Sequence, residues 1–371
     1  MNLHICYDEK VISRTIQYFE EVLPRQNIFV VMRPDKRRQY NYVKVSLPNV
    51  FYEQFGTKEF WKVVGDIRKY KNIIIHFLGN ESCKFILSIP PNSPVTWIIW
   101  GADLYNELLV KRGYDLYANP EDEWAVSHIN KIRKILLFPL IYLIRLHSYY
   151  VRLKAIQRIS SACGTKGDLQ LLYKYFPELK PYQQKKFFYY PVDDIIGDSL
   201  RKLSSLGNNI IVGNSASPSN NHRYVFAKLK KLNLGTRKVI VPLSYGINKE
   251  VALKAGKELG NNFCPLLDFV PLDEYNKILA SATTFIYGNF RQEAVGNIVI
   301  AFYLGGTVFL SERSSLLSDL KEQGYILFGL NELSNRIDYV LTNEERNHNR
   351  NLVLKLNSRE LMLSYIKESF G

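Results

Sequence analysis

The sequence predicts an α/β protein made of two Rossmann-like halves. Three observations carry this. The chain has 371 residues, and single cores rarely grow past ~250–300 residues, so about two domains are expected. Runs such as Asn72–Phe77 and Val95–Trp100 are predominantly apolar, as strands covered on both faces should be. In the second half, short apolar runs alternate strictly with helix-like segments, the pattern of a parallel sheet with helices on both faces.

In the first half, Leu3–Tyr7 and Ile28–Met32 read as strands around a helical stretch, Val11–Leu23. Tyr42–Ser46 is a further strand candidate. Lys58–Tyr70 reads as a helix leading into the strand at Asn72, and Val95–Trp100 is the next strand. After Tyr105 the pattern turns helical and basic, and Lys185–Tyr190 is one more strand candidate. In the second half the strand candidates are Asn209–Val212, Lys238–Leu243, Phe263–Leu267, Thr284–Tyr287 and Thr307–Leu310. The helical segments between and after them are Arg223–Leu232, Lys249–Gly260, Leu272–Ala280, Ala294–Leu304 and Ser315–Gln323. Right-handed crossovers then place the loops after the strands along one rim, where ligands bind. The division expected is a first domain over 1–190, a second over 191–345, and a charged terminal helix over 346–371 that can cross back onto the first lobe.

Four cysteines, Cys6, Cys83, Cys163 and Cys264, lie far apart without C-x-x-C spacing. They indicate neither a zinc site nor a redox motif and read as buried thiols in a reducing compartment. The N-terminus has no basic region followed by a long apolar core, and no run of ~18 apolar residues exists, so neither a signal peptide nor a membrane span is expected. The net charge is +14, which points to nucleic acid, an anionic membrane or anionic substrates. No nucleic-acid reading motif is present, so nucleic acid is not an expected partner. Between Trp124 and Gly167 there is no acidic residue.

The stretch Gly213–His222 follows the strand Asn209–Val212 and precedes a helix. Small polar residues between a strand and a helix start can receive a phosphate on the backbone N–H groups and the helix N-terminus. Asn214 and Ser215 sit at the strand tip and are the leading contacts. An ordinary capped connection explains the same residues. His222 is either a phosphate contact or a local cap.

With both halves placed, the chain resembles the TDP-N-acetylfucosamine:lipid II N-acetylfucosaminyltransferases of glycosyltransferase family 56. The resemblance rests on Trp100-Gly101-Ala102-Asp103-Leu104-Tyr105, Gly213-Asn214-Ser215 with Ser219-Asn220-Asn221-His222, Val241-Pro242-Leu243-Ser244-Tyr245-Gly246, Val270-Pro271-Leu272-Asp273-Glu274-Tyr275, and Arg291-Gln292 with Gly296. It covers roughly residues 70–330. It implies the GT-B fold, two Rossmann-like domains facing across a cleft, with the acceptor on a membrane-facing N-terminal lobe and the nucleotide sugar on the C-terminal lobe. The implied reaction moves a deoxy or N-acetylamino sugar from a nucleotide-diphosphate donor, dTDP-4-acetamido-4,6-dideoxygalactose or similar, to a polyprenyl-diphosphate-linked oligosaccharide. The setting is bacterial surface polysaccharide synthesis at the cytoplasmic face of the plasma membrane. No metal and no cofactor are expected. The alternative is a GT-B transferase with another donor sugar and a soluble acceptor. Where the family has a Gln-Gly-Ile-Gly-Thr-like loop after Arg-Gln, this chain has Glu293-Ala294-Val295-Gly296-Asn297, and the sugar stays open.

Under that reading the donor-binding set is Gly213, Asn214, Ser215, His222, Tyr245, Pro271, Leu272, Arg291, Gln292, Glu293, Gly296 and Asn297. Tyr245 faces the base or the cleft, and Pro271 and Leu272 border the base and ribose. Arg291 can neutralise the leaving diphosphate, and Glu293 can hold sugar hydroxyls. Gly296 and Asn297 offer N–H groups at a helix start. Asp273 and Glu274 read as first-turn acids complementing the helix dipole. The retaining pattern of a second Glu eight residues after Glu293 is missing, since position 301 is Ala. Direct displacement needs a base, and Asp103 and His76 are the candidates; a helix cap and a satisfied core histidine are the competing explanations. The run Lys131–Arg145, basic at both ends and apolar between, suits an anionic interface, with Lys131, Arg133, Lys134 and Arg145 as membrane or acceptor contacts. A buried helix with basic flanks is the alternative.

Overall fold

The structure is a computed structural model describing residues 1–33, 40–119, 131–196, 198–201, 207–247 and 249–371, with no side chains described over 131–141 or at 198 and 199. The chain forms two compact units. One comprises Met1–Tyr114, Lys131–Tyr189 and Glu360–Gly371, the other Asp115–Asn130 and Tyr190–Arg359.

The first unit carries β1 (Asn2–Tyr7), β2 (Asn27–Met32), β3 (Val50–Glu53), β4 (Asn72–Ile75), β5 (Val95–Ile98), β6 (Ser161–Cys163) and β7 (Gln183–Gln184). Their order in the sheet is β3-β2-β1-β4-β5-β6-β7, and every pair is parallel. The order reverses between β1 and β4. In an open α/β sheet that reversal opens a crevice at the carboxyl ends of the two strands.

The second unit carries β8 (Asn209–Val212), β9 (Val239–Pro242), β10 (Phe263–Leu266), β11 (Ala282–Tyr287), β12 (Thr307–Leu310) and β13 (Phe328–Gly329). Their order is β10-β9-β8-β11-β12-β13, again parallel throughout. Here the reversal falls between β8 and β11. Apolar side chains from the strands and the covering helices fill both faces of the sheet.

Three expectations are corrected. Tyr42–Ser46 is not a strand, because its backbone donors go to side chains. Asp8 takes the N–H groups of Asn41, Tyr42 and Val43, and the Tyr52 hydroxyl takes that of Val45. Strand β3 begins at Val50 instead. Lys185–Tyr190 is not a strand either: Lys186 N donates to Ser369 Oγ and its carbonyl accepts from the same hydroxyl. The edge strand is the short β7 just before it. The helix predicted to reach Tyr70 stops early, at Val64, whereas the one predicted to reach Gly260 is α-helical to Gly256 and continues as a 3-10 helix over Lys257–Asn262. The first stops because Gly65 turns to φ +61. Strands β6 and β13, too short to show as runs, are additions.

The terminal segment divides. Helix Asn343–Leu356 packs on helix Val295–Leu304 in the second unit. The last helix, Arg359–Phe370, buries Met362, Ile366 and Phe370 with Cys6, Ile12 and Phe19 in the first.

Candidate active site

The reversal between β8 and β11 brings two loops together that lie some seventy residues apart in sequence. Gly213 leaves β8 with φ +68, and its N–H still pairs with Ile286 of β11 at 2.9 Å. A Cβ at Gly213 would stand 2.6 Å from Asn220 Oδ1 and 3.0 Å from His222 Nε2, so only glycine fits. Asn220 folds the loop over itself: its Oδ1 accepts from Asn214 N (3.0 Å) and its Nδ2 donates to Ser215 Oγ (3.1 Å). The loop after β11 then locks on. Asn221 Nδ2 donates to the Gly288 carbonyl at 2.8 Å, and Asn289 Nδ2 to the Ser219 carbonyl at 3.1 Å. A third loop, after β9, joins them: Ala216 N donates to the Tyr245 carbonyl (2.7 Å), and Asn214 Nδ2 lies 3.3 Å from the Tyr245 hydroxyl.

Arg291 and Glu293 form the charged centre of this cluster. Arg291 Nε donates to Glu293 Oε2 at 2.9 Å, with both side chains nearly buried. Burial alone would raise the Glu293 carboxyl. The Arg291 charge and hydrogen bonds from Arg291, Ser219 and Asn289 outweigh it and hold the pKa below its usual value. Glu293 is therefore ionised at neutral pH. Burial pushes His222 down to about 4, against a smaller upward pull from Glu293, so the imidazole is neutral. His222 Nε2 is buried without a partner, as are Asn214 Oδ1, Asn289 Oδ1 and Gln292 Oε1. For Asn289 the amide orientation is fixed, because its Nδ2 serves two acceptors, Ser219 O and Glu293 Oε2. Leaving such an atom unpaired costs about 1–3 kcal/mol, so these atoms favour a polar ligand.

Helix Val295–Leu304 begins beside them from Ala294, whose φ is +62, and no side chain caps it. Gly296 is open: a Cβ there would meet only Tyr190 Cδ1 at 3.8 Å. Asn297 is engaged, donating to the Tyr275 hydroxyl at 2.9 Å. Through that bond the helix after β10, Leu272–Ala280, reaches the cluster, with Pro271 and Leu272 at its exposed start. Two residues escaped the sequence reading. Arg223 lines a recess of the loop with Ser217, Pro218 and His222; its signal was a cation one position into the helix. Phe269 is 79 % exposed just before Pro271, an aromatic whose only signal was its place in a turn.

The two proposed bases of the first unit are structural, and that assignment is corrected. Asp103 is fully buried and accepts from the N–H groups of Leu78, Trp100 and Leu104 and from Trp97 Nε1, at 2.8–3.1 Å. Its oxygens already serve the protein. His76 is also fully buried. Its ring nitrogens meet His4 Nδ1 (2.9 Å) and the Tyr189 hydroxyl (2.8 Å), and burial lowers it to about 3. Arg145 is exposed on helix Lys131–Ile156; the side chains of Lys131, Arg133 and Lys134 lie outside the described residues. Among the described residues no three His, Cys, Asp or Glu side chains are placed to hold a metal ion.

The sequence pattern of the family described as 4-alpha-L-fucosyltransferase, glycosyl transferase group 56, matches residues 140–347, more than half of the chain. The chain belongs to glycosyl transferase group 56. Known structures agree on the fold of this group 56 member. Sucrose-phosphate synthase from Thermosynechococcus elongatus matches with a TM-score of 0.63 at 11% identity, over 99% of this chain and 97% of its own. A glycosyltransferase from Rickettsia africae matches at 0.61 and 11%, over 100% and 97%. The E. coli trehalose-6-phosphate structure bound with UDP-2-fluoro glucose matches at 0.61 and 11%, over 100% and 98%. At such identities the likeness shows the fold alone, which is GT-B. The group 56 chain is thus a glycosyltransferase of the GT-B type.

Proposed function

We propose that the enzyme binds a nucleotide-diphosphate sugar at the β8/β11 loops and transfers a deoxy or N-acetylamino sugar to a polyprenyl-diphosphate-linked glycan. In this reading it works as a peripheral protein on the cytoplasmic membrane face. The donor half is supported by the uncapped helix starts and the four unpartnered buried polar atoms around Arg291–Glu293. Backbone N–H groups suit the diphosphate, and the amide oxygens suit hydroxyl or acetamido donors on the sugar.

One observation carries the lipid-linked acceptor. Tyr142, Leu143, Ile144 and Leu146 on helix Lys131–Ile156 are each more than half exposed, with Arg145 exposed among them. Further along, the same helix is anchored. Arg152 donates to the Leu78 carbonyl, Asn80 Oδ1 and Glu107, and Ser148 to Asn80 Oδ1. Leu78 lies in the loop leaving β4 at the sheet reversal and Asn80 opens the helix after it, so an exposed apolar helix end is tied directly to the rim where the acceptor would bind. No helix among the described residues is long and apolar enough to cross a membrane. Such a segment suits the interface, where each basic residue contributes ~1 kcal/mol toward an anionic leaflet.

The test combines a donor panel with vesicle flotation. Thermal shifts are measured with UDP-, dTDP- and GDP-sugars. Binding to phosphatidylglycerol and phosphatidylcholine vesicles is measured at low and high salt. A shift with one nucleotide class and salt-sensitive binding to the anionic vesicles are expected. No shift with any diphosphate nucleotide sinks the donor reading, and equal partitioning onto both vesicles sinks the membrane reading.

A further inference from the structure

Of the four unpartnered buried atoms around Arg291 and Glu293, three can adapt to a ligand that donates or to one that accepts. Asn214 Nδ2 has the Tyr245 hydroxyl at 3.3 Å, and a hydroxyl serves either role, so that amide can turn over. No described residue fixes the Gln292 amide. The neutral His222 ring presents an N–H or a lone pair at Nε2 according to its tautomer. Asn289 differs from all three. Its Nδ2 serves the Ser219 carbonyl at 3.1 Å and Glu293 Oε2 at 2.8 Å, and neither partner can donate. Its Oδ1 is therefore an acceptor in every arrangement of the site, on a residue only 2% exposed. The loop is pinned on both sides of it. A Cβ at Gly288 would stand 2.6 Å from Val225 Cγ2 and 2.8 Å from the Asn220 carbonyl, so the backbone there is packed shut. The Phe290 ring lies edge-on to Tyr224, with the Arg313 guanidinium 4.5 Å above it. Oδ1 is thus held in place before any ligand arrives.

We infer that, with a nucleotide sugar as the ligand as proposed above, Asn289 selects the donor sugar by accepting one of its hydroxyl or amide hydrogens. A diphosphate ionised at neutral pH offers only acceptors, and two acceptors facing each other repel. The diphosphate therefore lies against the helix starts and the atoms that can donate, and the sugar is the part of the donor that completes Asn289. A sugar deoxygenated or alkylated at the position facing Oδ1 strands a buried acceptor. Sites built round such a hydrogen bond refuse the analogue that lacks it far more strongly than an apolar pocket refuses a change of size. Asn289 thus reads the sugar and is indifferent to the nucleotide.

The test is calorimetric binding to wild type and Asn289→Ala, with Tm measured beside it. Three kinds of probe are used: the nucleoside diphosphate alone, the nucleotide sugar that gives the largest thermal shift, and its analogues. In the analogues each hydroxyl in turn is replaced by hydrogen, and any amide nitrogen is methylated. One analogue is expected to bind wild type about 10- to 100-fold more weakly than the parent. Asn289→Ala is expected to lose a similar factor for the parent nucleotide sugar, to hold the nucleoside diphosphate within about threefold of wild type, and to bind that analogue as well as the parent. Equal losses for the diphosphate and the nucleotide sugar would make Asn289 a brace for Ser219 and Glu293 only, and overturn the assignment. So does a wild type that binds every analogue alike, a result that stands even where the variant does not fold. The reading beneath it fails separately: wild type that binds no nucleoside diphosphate removes the donor site itself, whereas binding without dependence on the sugar group removes only the role of Asn289.

Discussion

Replacing Arg291 by Met is expected to destabilise the protein by about 3 kcal/mol. The Arg291–Glu293 pair is short, 2.9 Å, with side chains 11% and 13% exposed. Removing one partner of a buried pair costs roughly 3–5 kcal/mol, because the other charge is stranded. The remaining exposure, and the bond Glu293 keeps from Asn289 at 2.8 Å, place this pair at the lower end. The penalty depends on pH. In wild type the Glu293 carboxyl lies below its usual value, so it adds stability that is present above the unfolded pKa and lost as pH falls through the folded one. Without Arg291, burial dominates and the carboxyl rises above its unfolded value. The variant then binds a proton on folding, and its penalty shrinks as pH falls from neutrality through that raised value toward the unfolded one, ~4.3. Urea unfolding at pH 7.5 and pH 5 measures this for wild type, Arg291→Met, Glu293→Gln and the double variant. Three kcal/mol is about a hundredfold in the folding equilibrium. The double variant is expected to be more stable than Arg291→Met alone, with a coupling of ~1–3 kcal/mol. An additive cycle, or an Arg291→Met penalty that is small and flat between the two pH values, would refute the reasoning.

Two further outcomes follow from the same loops. Gly213→Ala forces a left-handed alanine, costing ~1–2 kcal/mol, and crowds Asn220 Oδ1 at 2.6 Å. It should lower Tm and weaken nucleotide-sugar binding in calorimetry; wild-type donor affinity in this variant argues against the loop as the diphosphate site. His222 is neutral in the fold and falls to about 4, so the unfolded chain takes up its proton first. The stability it contributes is complete above pH ~6.5 and lost toward pH ~4. His222→Gln should flatten the slope of Tm against pH in that window, leaving the contribution of His76, which reaches lower. Superimposable slopes would show that the buried imidazole is not the cause.

Both sheets were legible because parallel strands covered on both faces must be largely apolar, as Asn72–Ile75 and Asn209–Val212 are after their first residue. What sequence hides is where backbone donors go. Val43 and Val45 look like strand residues, yet Asp8 and the Tyr52 hydroxyl take their N–H groups, and nothing local announces that. The same blindness governs the bases. Asp103 and His76 sit where a catalytic group would sit, and only tertiary contacts reveal that Trp97, three backbone N–H groups, His4 and Tyr189 have taken them. The donor loops were visible because small polar residues between strand and helix have few other reasons to cluster. Their interlocking through Asn221–Gly288 and Asn289–Ser219 was not, since it depends on β8 and β11 being neighbours.

The way the two rim helices begin argues for ligand binding more strongly than any single side chain. Among the described helices, Thr57, Thr165 and Thr342 each accept a backbone N–H with the side-chain oxygen, while the helices entered from Val11, Gly79, Pro271 and Ser314 have no side-chain cap. The helices after β8 and β11 start instead from Asn221 and Ala294, at φ 51 and φ 62, and neither has a side-chain cap. A left-handed alanine costs of order 1–2 kcal/mol, an asparagine less because it tolerates that region, and a missing cap about another 1 kcal/mol. Those costs fall on two adjacent helices, on either side of the sheet reversal. A fold selected for stability alone would place glycine at 294 and Ser or Asp at 221. The Asn221 side chain is spent instead on the Gly288 carbonyl and the Ala118 N–H, which holds the two loops in register. Both helix starts thereby lie on the rim at the sheet reversal, with their positive ends where a diphosphate would be favoured.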